Sequence, residues 1–285
     1  MRLISAILVG TSLHSSLATA SPDIVRRAGL LYERTAYAES LRLLDQDAHP
    51  DAANYFLRGK DYFMSSDYAR AVEFFEKALA LAPDNSDYEL WLGRAWGRRA
   101  ENDSWFTAMS AASKARQCFE RAVALDPRNH EAKNDLFDFY LHAPGFLGGG
   151  TDKAEAAARG IATERPAEFE FEEAELAEHR KDFAAAEAHL RRAIELAPEQ
   201  IGRVLDLAKF LAARGRFEES DRLFDKAAKS GQPRVAFAIA STDLEYHRNP
   251  ERARRLLAEY LRADLTPDDP PRREAEKLLR RAGGA

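Results

Sequence analysis

Residues 143–154 read APGFLGGGTDKA, three glycines followed closely by a lysine. Glycine amides turned toward an anion, with an ammonium beside them, would make a phosphate cradle. That chemistry needs the glycines to follow a strand in the spacing GxxxxGK[ST]. Here a helical pattern precedes them and the spacing is absent. Lys153 instead enters an ordinary helix, for which Thr151 or Asp152 is the expected N-cap. Other reactive side chains are sparse. His179 and His189 lack supporting Cys or Asp geometry, so no metal site is expected. Cys118, the single cysteine, sits beside Phe119 in an amphipathic stretch and reads as a small buried apolar residue, not a nucleophile. No Ser–His–Asp or Cys–His set presents itself, so neither a catalytic residue nor a cofactor is expected, and the chain is not expected to be an enzyme.

The 285 residues carry 42 basic and 47 acidic side chains in good mixture, a net charge of −5, so no basic stripe points to nucleic acid. At the N-terminus Arg2 precedes the apolar run LISAILVGTSL (3–13), too short to span a bilayer, and Ala18-Thr19-Ala20 follows. This predicts a cleaved secretory signal over 1–20, a mature start near Ser21, and an exported product, periplasmic or secreted. No membrane insertion is expected after cleavage.

What must position any functional side chain is a repeat. In ARAVEFFEKALALAP, Ala71, Ala78 and Pro83 are spaced seven and then five apart. The spacing recurs at Ala115, Ala122 and Pro127, at Ala186, Ala193 and Pro198, and, with one substitution, at Ala154, Ile161 and Pro166. Each stretch has a helical apolar period, and proline cannot continue a helix. Upstream of the first, Tyr55, Gly59 and Tyr62 form another amphipathic helix that breaks at Ser65-Ser66-Asp67. Helix, short turn, helix, proline resembles the tetratricopeptide repeat (TPR), with Tyr55, Gly59, Tyr62, Ala71, Phe75, Ala78 and Pro83 at its characteristic places. Arg58 departs from it, standing where the family usually carries leucine. The resemblance implies an all-α fold, a right-handed α-solenoid of about six to seven helix-turn-helix repeats over 21–270. PRREAEKLLRRAGGA (271–285) reads as its C-terminal capping helix.

Two repeats exceed the 34-residue period of a plain unit. The surplus is expected between their two helices, as insertions at 101–113 and 143–151. Trp105, Phe106 and Met109 in the first and Phe146 and Leu147 in the second make these edge loops unusually apolar. A local minicore between them is the favoured reading; a partner-docking edge is the alternative. The pair of insertions is similar to a run found in several exported bacterial TPR proteins, which implies fold and compartment but no activity.

The resemblance also implies a concave groove lined by the first helix of each repeat. Carried over by position, it takes Phe56, Lys60, Phe63 and Met64, then Leu90, Arg94 and Arg98, then Asn134, Asp138 and His142. Phe171, Glu175, Glu178 and His179 follow. The groove would pass from basic and aromatic to acidic, with Lys60, Arg94 and Arg98 steering an acidic segment and Phe56, Phe63 and Met64 burying an apolar anchor. The expected function is a non-enzymatic scaffold of the cell envelope that binds a peptide or helix of another protein. The alternatives are an envelope assembly factor docking through its edge loops, and a small-ligand or enzymatic role at 143–151.

Overall fold

Helices follow one another in pairs from Ser21 to Tyr260, each pair joined by a short turn. The structure, a computed structural model, describes residues 21–102 and 104–283; the expected signal over 1–20 lies outside them. The pairs are α1 (Ser21–Glu33) with α2 (Tyr37–Leu44), α3 (Ala52–Met64) with α4 (Tyr68–Leu81), and α5 (Ser86–Asn102) with α6 (Trp105–Leu125). Next come α7 (His130–His142) with α8 (Thr151–Ile161), and α9 (Pro166–His179) with α10 (Phe183–Leu196). The last are α11 (Ile201–Ala212) with α12 (Phe217–Ala228) and α13 (Pro233–Glu245) with α14 (Pro250–Tyr260), before a final α15 (Arg272–Gly283). Each helix packs mainly on its partner and on the first helix of the next pair, and no strand occurs among the described residues. This is an all-α TPR solenoid.

The counted residues explain the packing. Ala71, Ala78, Ala115, Ala122, Ala186 and Ala193 are fully buried, as is Ala154. Their methyl groups let the preceding helix come close, and a larger side chain would overpack the contact. Gly59 and Gly93 do the same from the other side: a Cβ at Gly59 would stand 2.4 Å from the Phe75 ring, and one at Gly93 2.6 Å from that of Phe119. Polar side chains close the helix starts. Asp51, Asp67, Asn129 and Asp182 each accept from the backbone N–H three residues on, at 2.8–3.1 Å.

Five of the turns within pairs share one geometry. Thr35, Ser66, Lys181, Gly215 and His247 all take positive φ, between 53° and 72°. In each, the following N–H bonds back to a carbonyl five residues earlier, as Asp67 to Tyr62 and Asp182 to Ala177. This is the six-to-one bond of a Schellman closure, which satisfies carbonyls left over at the helix end. Arg58 has its own explanation. Its guanidinium reaches Asn54 at 2.8 Å, Asp45 at 2.7 Å and the Leu44 carbonyl at 2.6 Å, so it ties the end of α2 to α3 where leucine would only pack.

Three expectations are corrected. The surplus at 101–113 is not a loop: α5 runs to Asn102 and α6 begins at Trp105, so it lengthens both helices to 17 and 21 residues. Helix α8 is capped by neither Thr151 nor Asp152 but begins after Gly150, with Asp152 in its first turn. Pro166 does not end α8, which stops at Ile161, but opens α9 at its first position, where its missing N–H costs nothing.

The C-terminal helix α15 buries Ala275 and Ala282 against α14 and α13, and the Tyr260 hydroxyl donates to the Pro270 carbonyl beneath it. The connecting segment Pro267–Pro271 and the start of α15 also face Tyr32 and Glu33 of α1 across a shared cavity. Helix α1 and the segment before α15 thus border one cavity.

Candidate functional site

The cavity they enclose measures 1030 Å³. Six of the expected groove residues meet there: Phe56, Lys60, Phe63, Met64, Arg94 and Arg98. Leu90 does not. It is 1% exposed in the core, because α5 turns Trp91, the next residue, toward the cavity instead. Trp91 is the hub of the site. Its ring meets Phe63 edge-on at 5.4 Å and Phe56 at 6.4 Å, and Phe56 stacks on Tyr88 at 4.4 Å. Carried-over position chose Leu90 by stepping back four residues from Arg94, whereas the lining face of α5 runs through Trp91, Arg94 and Arg98, three and then four apart.

The three cations are already engaged. The Lys60 ammonium lies 4.3 Å from the centre of the Tyr32 ring and 4.8 Å from that of Trp91, a cation–π cage in which burial lowers its pKa. Arg94 binds Asp135 at 2.5 Å and Glu131 at 2.9 Å while lying over Trp91. Arg98 pairs with Glu101 at 2.7 Å. Six acidic and four basic residues line the cavity, so it is not a basic surface and the expected electrostatic steering of an acidic segment is withdrawn. What remains is an aromatic cavity whose expected cations are held in cages and pairs. Such a site orients a guest and rewards apolar burial.

Asp138 and His142 stand apart, in a 600 Å³ cleft beside this cavity with Phe139, Ala112, Ala115 and Leu147. Burial lowers the His142 pKa and His179 adds to it, so this imidazole resists protonation. Asn134 lines neither cavity; it donates to Glu168 at 3.0 Å and accepts from Arg165 at 3.1 Å, a structural link between α7 and α9.

The glycine loop is a rigid spacer. A Cβ on Gly149 would lie 1.9 Å from the Ala143 carbonyl oxygen, and Gly148 and Gly150 take φ of 95° and 146°, so side chains are excluded there. Lys153 donates to the Gly148 carbonyl at 2.7 Å, closing the loop on itself and leaving the lysine unlike a phosphate ligand. The Gly150 N–H donates to the Tyr140 carbonyl at 2.7 Å, and the Tyr140 hydroxyl donates to Glu120 of α6, which also holds Arg116. The expected minicore is not made by Phe146, which is 72% exposed on the short 3-10 turn Gly145–Leu147; Leu147 alone turns inward. Met109 is half-buried, and the side chains of Trp105 and Phe106 lie outside the described part of the structure. Cys118 is buried beside Glu89, with its thiol pushed up to about 12 by burial, which makes it unreactive.

Further along the concave face, Phe171, Glu175 and Glu178 line a separate cavity of 480 Å³ with residues of α11 and α13. His179 is exposed at the end of α9 and does not line it. Sequence reasoning missed Asp206, Glu245 and Tyr246 here, because α11 and α13 belong to the loosest repeats and lack the Gly-and-aromatic marks that set the register.

Comparison with known proteins agrees with this construction. Residues 52–85 and 177–241 each match a tetratricopeptide repeat model. The fold is similar to that of a TPR protein from Parabacteroides merdae ATCC 43184, at 13% identity and a TM-score of 0.57, over 92% of this chain and 98% of that one. It is also similar to a thermophilic TPR protein from Thermus thermophilus, at 20% identity and a TM-score of 0.53, over 67% of this chain and 98% of that one. No curated protein matches the sequence. The counted spacing, the paired helices stacked through it and these matches place tetratricopeptide repeats at 52–85 and 177–241 within a TPR-type solenoid.

Proposed function

We propose that the protein is a non-enzymatic scaffold of the cell envelope that holds a segment of another protein against its concave face. The observation that carries the reading is the aromatic cavity around Trp91, bounded by α1, α3, α5 and the segment before α15. TPR folds serve generally as protein-interaction modules, and the cations of this cavity are engaged: Arg94 and Arg98 are paired with carboxylates and Lys60 with aromatic rings. A guest would seat an apolar side chain among Phe56, Phe63 and Trp91, while Glu131 and the paired Arg94 define its polarity. Because the C-terminal segment walls one side, an extended segment or a short helix end fits better than a long helix laid across the groove. Action outside the cytoplasm rests on the sequence of residues 1–20, and no helix among the described residues is long and apolar enough to cross a membrane. N-terminal sequencing of the mature protein checks export, with a start near Ser21 expected and an intact Met1 contradicting it.

A second reading has its own observation. Phe146 stands out on a loop whose glycines and hydrogen bonds leave it little freedom, as an anchor offered to a larger assembly would. Affinity capture from envelope extracts separates the two. Capture lost with Trp91→Ala and kept with Phe146→Ala supports the concave face; the reverse supports edge docking.

A further inference from the structure

The second concave cavity, between α9, α11 and α13, has a chemistry of its own. Four carboxylates, Glu175, Glu178, Asp206 and Glu245, line it with a single cation among the described residues, Lys209. Phe171, Phe210 and Tyr246 supply its apolar walls. The local arginines are spent. Arg203 binds Glu168, reaches Asp206 at 3.6 Å and covers the Phe171 ring at 3.7 Å, and Arg214 binds Glu178 at 3.0 Å and covers Phe210 at 3.5 Å. Two carboxylate oxygens are left over. Oε2 of Glu175 is buried without a hydrogen-bond partner, and so is Oε2 of Glu172 one turn earlier, a residue only 2% exposed that faces the charges of Asp138, Glu168 and Glu175. A buried acceptor with no donor is an unmet demand, and on the wall of this cavity Glu175 carries one.

We propose that this half of the concave face binds a cationic segment of a partner protein, an arginine- or lysine-bearing peptide whose side chain enters between Glu175 and Asp206. The inference rests on the reading of the concave face as a protein-binding surface and adds the polarity of its guest. Charge complementarity selects the occupant: an acidic peptide would add to a concentration of like charge, whereas a guanidinium supplies the donors that Glu175 lacks and can stack on the aromatic walls.

Where no cation faces Glu175, a proton takes its place. Burial raises the Glu175 pKa to about 8, helped by Asp138 from α7, Asp206 from α11 and Glu168 on its own helix, with Arg203 opposing. At neutral pH an incoming cation therefore displaces the proton on Glu175 to solvent, and binding tightens as pH rises through 8.

The test uses the full chain, a short labelled peptide alternating Arg and Leu, and its Glu-Leu counterpart, at low ionic strength. The Arg-Leu peptide is expected to bind and the Glu-Leu peptide not to. The double variant Glu175→Gln, Asp206→Asn should weaken the Arg-Leu peptide by about tenfold or more, the loss typical of removing the partners of a charged group. Gln imitates the neutral carboxyl already present, so folding is retained, which circular dichroism checks. In the unaltered protein, titration heats measured in two buffers of unlike ionisation enthalpy should report proton release. Equal binding of both peptides, no loss in the double variant, absence of proton release, or full displacement by equimolar spermidine would overturn the proposal. Trp91→Ala leaves Arg-Leu binding intact. Native capture lost with Trp91→Ala yet unaltered in the double variant leaves the scaffold reading standing and removes this one.

Discussion

At the scale of single residues, small side chains and buried acids set the limits. Gly59 is needed because the Phe75 ring, itself fully buried, occupies the space of its Cβ. Gly59→Ala should destabilise by about 1–2 kcal/mol, overpacking offset in part by better helix propensity. Gly97→Ala, with nothing within 4 Å of its Cβ, should be neutral or stabilising by up to about 1 kcal/mol. Denaturant titration of both separates packing from propensity. The buried acids carry a pH signature. Asp61, Glu172 and Glu175 are each raised to about 8, first by burial. Their folded pKa values exceed the unfolded ones, so the stability they contribute is full below the ordinary carboxyl range and is lost as pH rises toward and through 8. Unfolding free energy should fall from pH 7 to 8.5, and Glu172→Gln, permanently neutral, should flatten the decline. A rise over that interval would contradict the assignment. Burial lowers the pKa of His142, an effect of opposite sign confined to lower pH. Gly59, Phe75 and the counted alanines were legible because their spacing repeats. Trp91 was not, because a step of three or of four residues back from Arg94 fits a helical face equally well.

At the scale of elements, the recurrent turn is the clearest case of structure that composition hides. Gly215 announces a left-handed residue, but Thr35, Ser66, Lys181 and His247 adopt the same conformation without glycine's freedom. The chain length between the paired helices enforces it. Lys181, exposed in its turn, therefore holds strain, and Lys181→Gly should stabilise by about 0.5–1 kcal/mol in thermal or chemical unfolding. The opposite holds where α12, α13 and α14 meet. Asp243, 1% exposed, accepts from Arg252 at 2.6 and 2.7 Å, and Arg252 with Arg248 also holds Asp221. Arg252→Ala strands that carboxylate in the interior and should cost about 3 kcal/mol, whereas an exposed pair such as Lys77–Glu73 should cost less than about 1 kcal/mol to break. The surplus residues show a limit of counting. Period arithmetic located both, yet could not say that one would lengthen two helices while the other, rich in glycine and proline, would turn.

At the scale of the molecule, the concave face is divided in two. Near the N-terminal end an aromatic cavity holds its own cations in cages and pairs; beyond it a second cavity is lined by four carboxylates, of which Glu175 keeps an oxygen without a partner. The order of charge along the face follows from which first helices carry which residues, and its acidic half was legible at Glu175 and Glu178. Its basic half was not, since Glu131, Asp135 and Glu101 neutralise Arg94 and Arg98 from positions that no groove pattern includes. The closing of the chain upon itself was also hidden, because only curvature summed over seven helix pairs brings Asp268 beside Tyr32. Occupation of the concave face by another protein is the central claim, and contact from inside the aromatic cavity tests it most directly. A photo-crosslinking residue in place of Met64, which lines that cavity, should capture a protein segment in intact cells, while the same residue in place of the outward-facing Leu81 should not. Capture at Leu81 or Phe146 with none at Met64 would contradict the account.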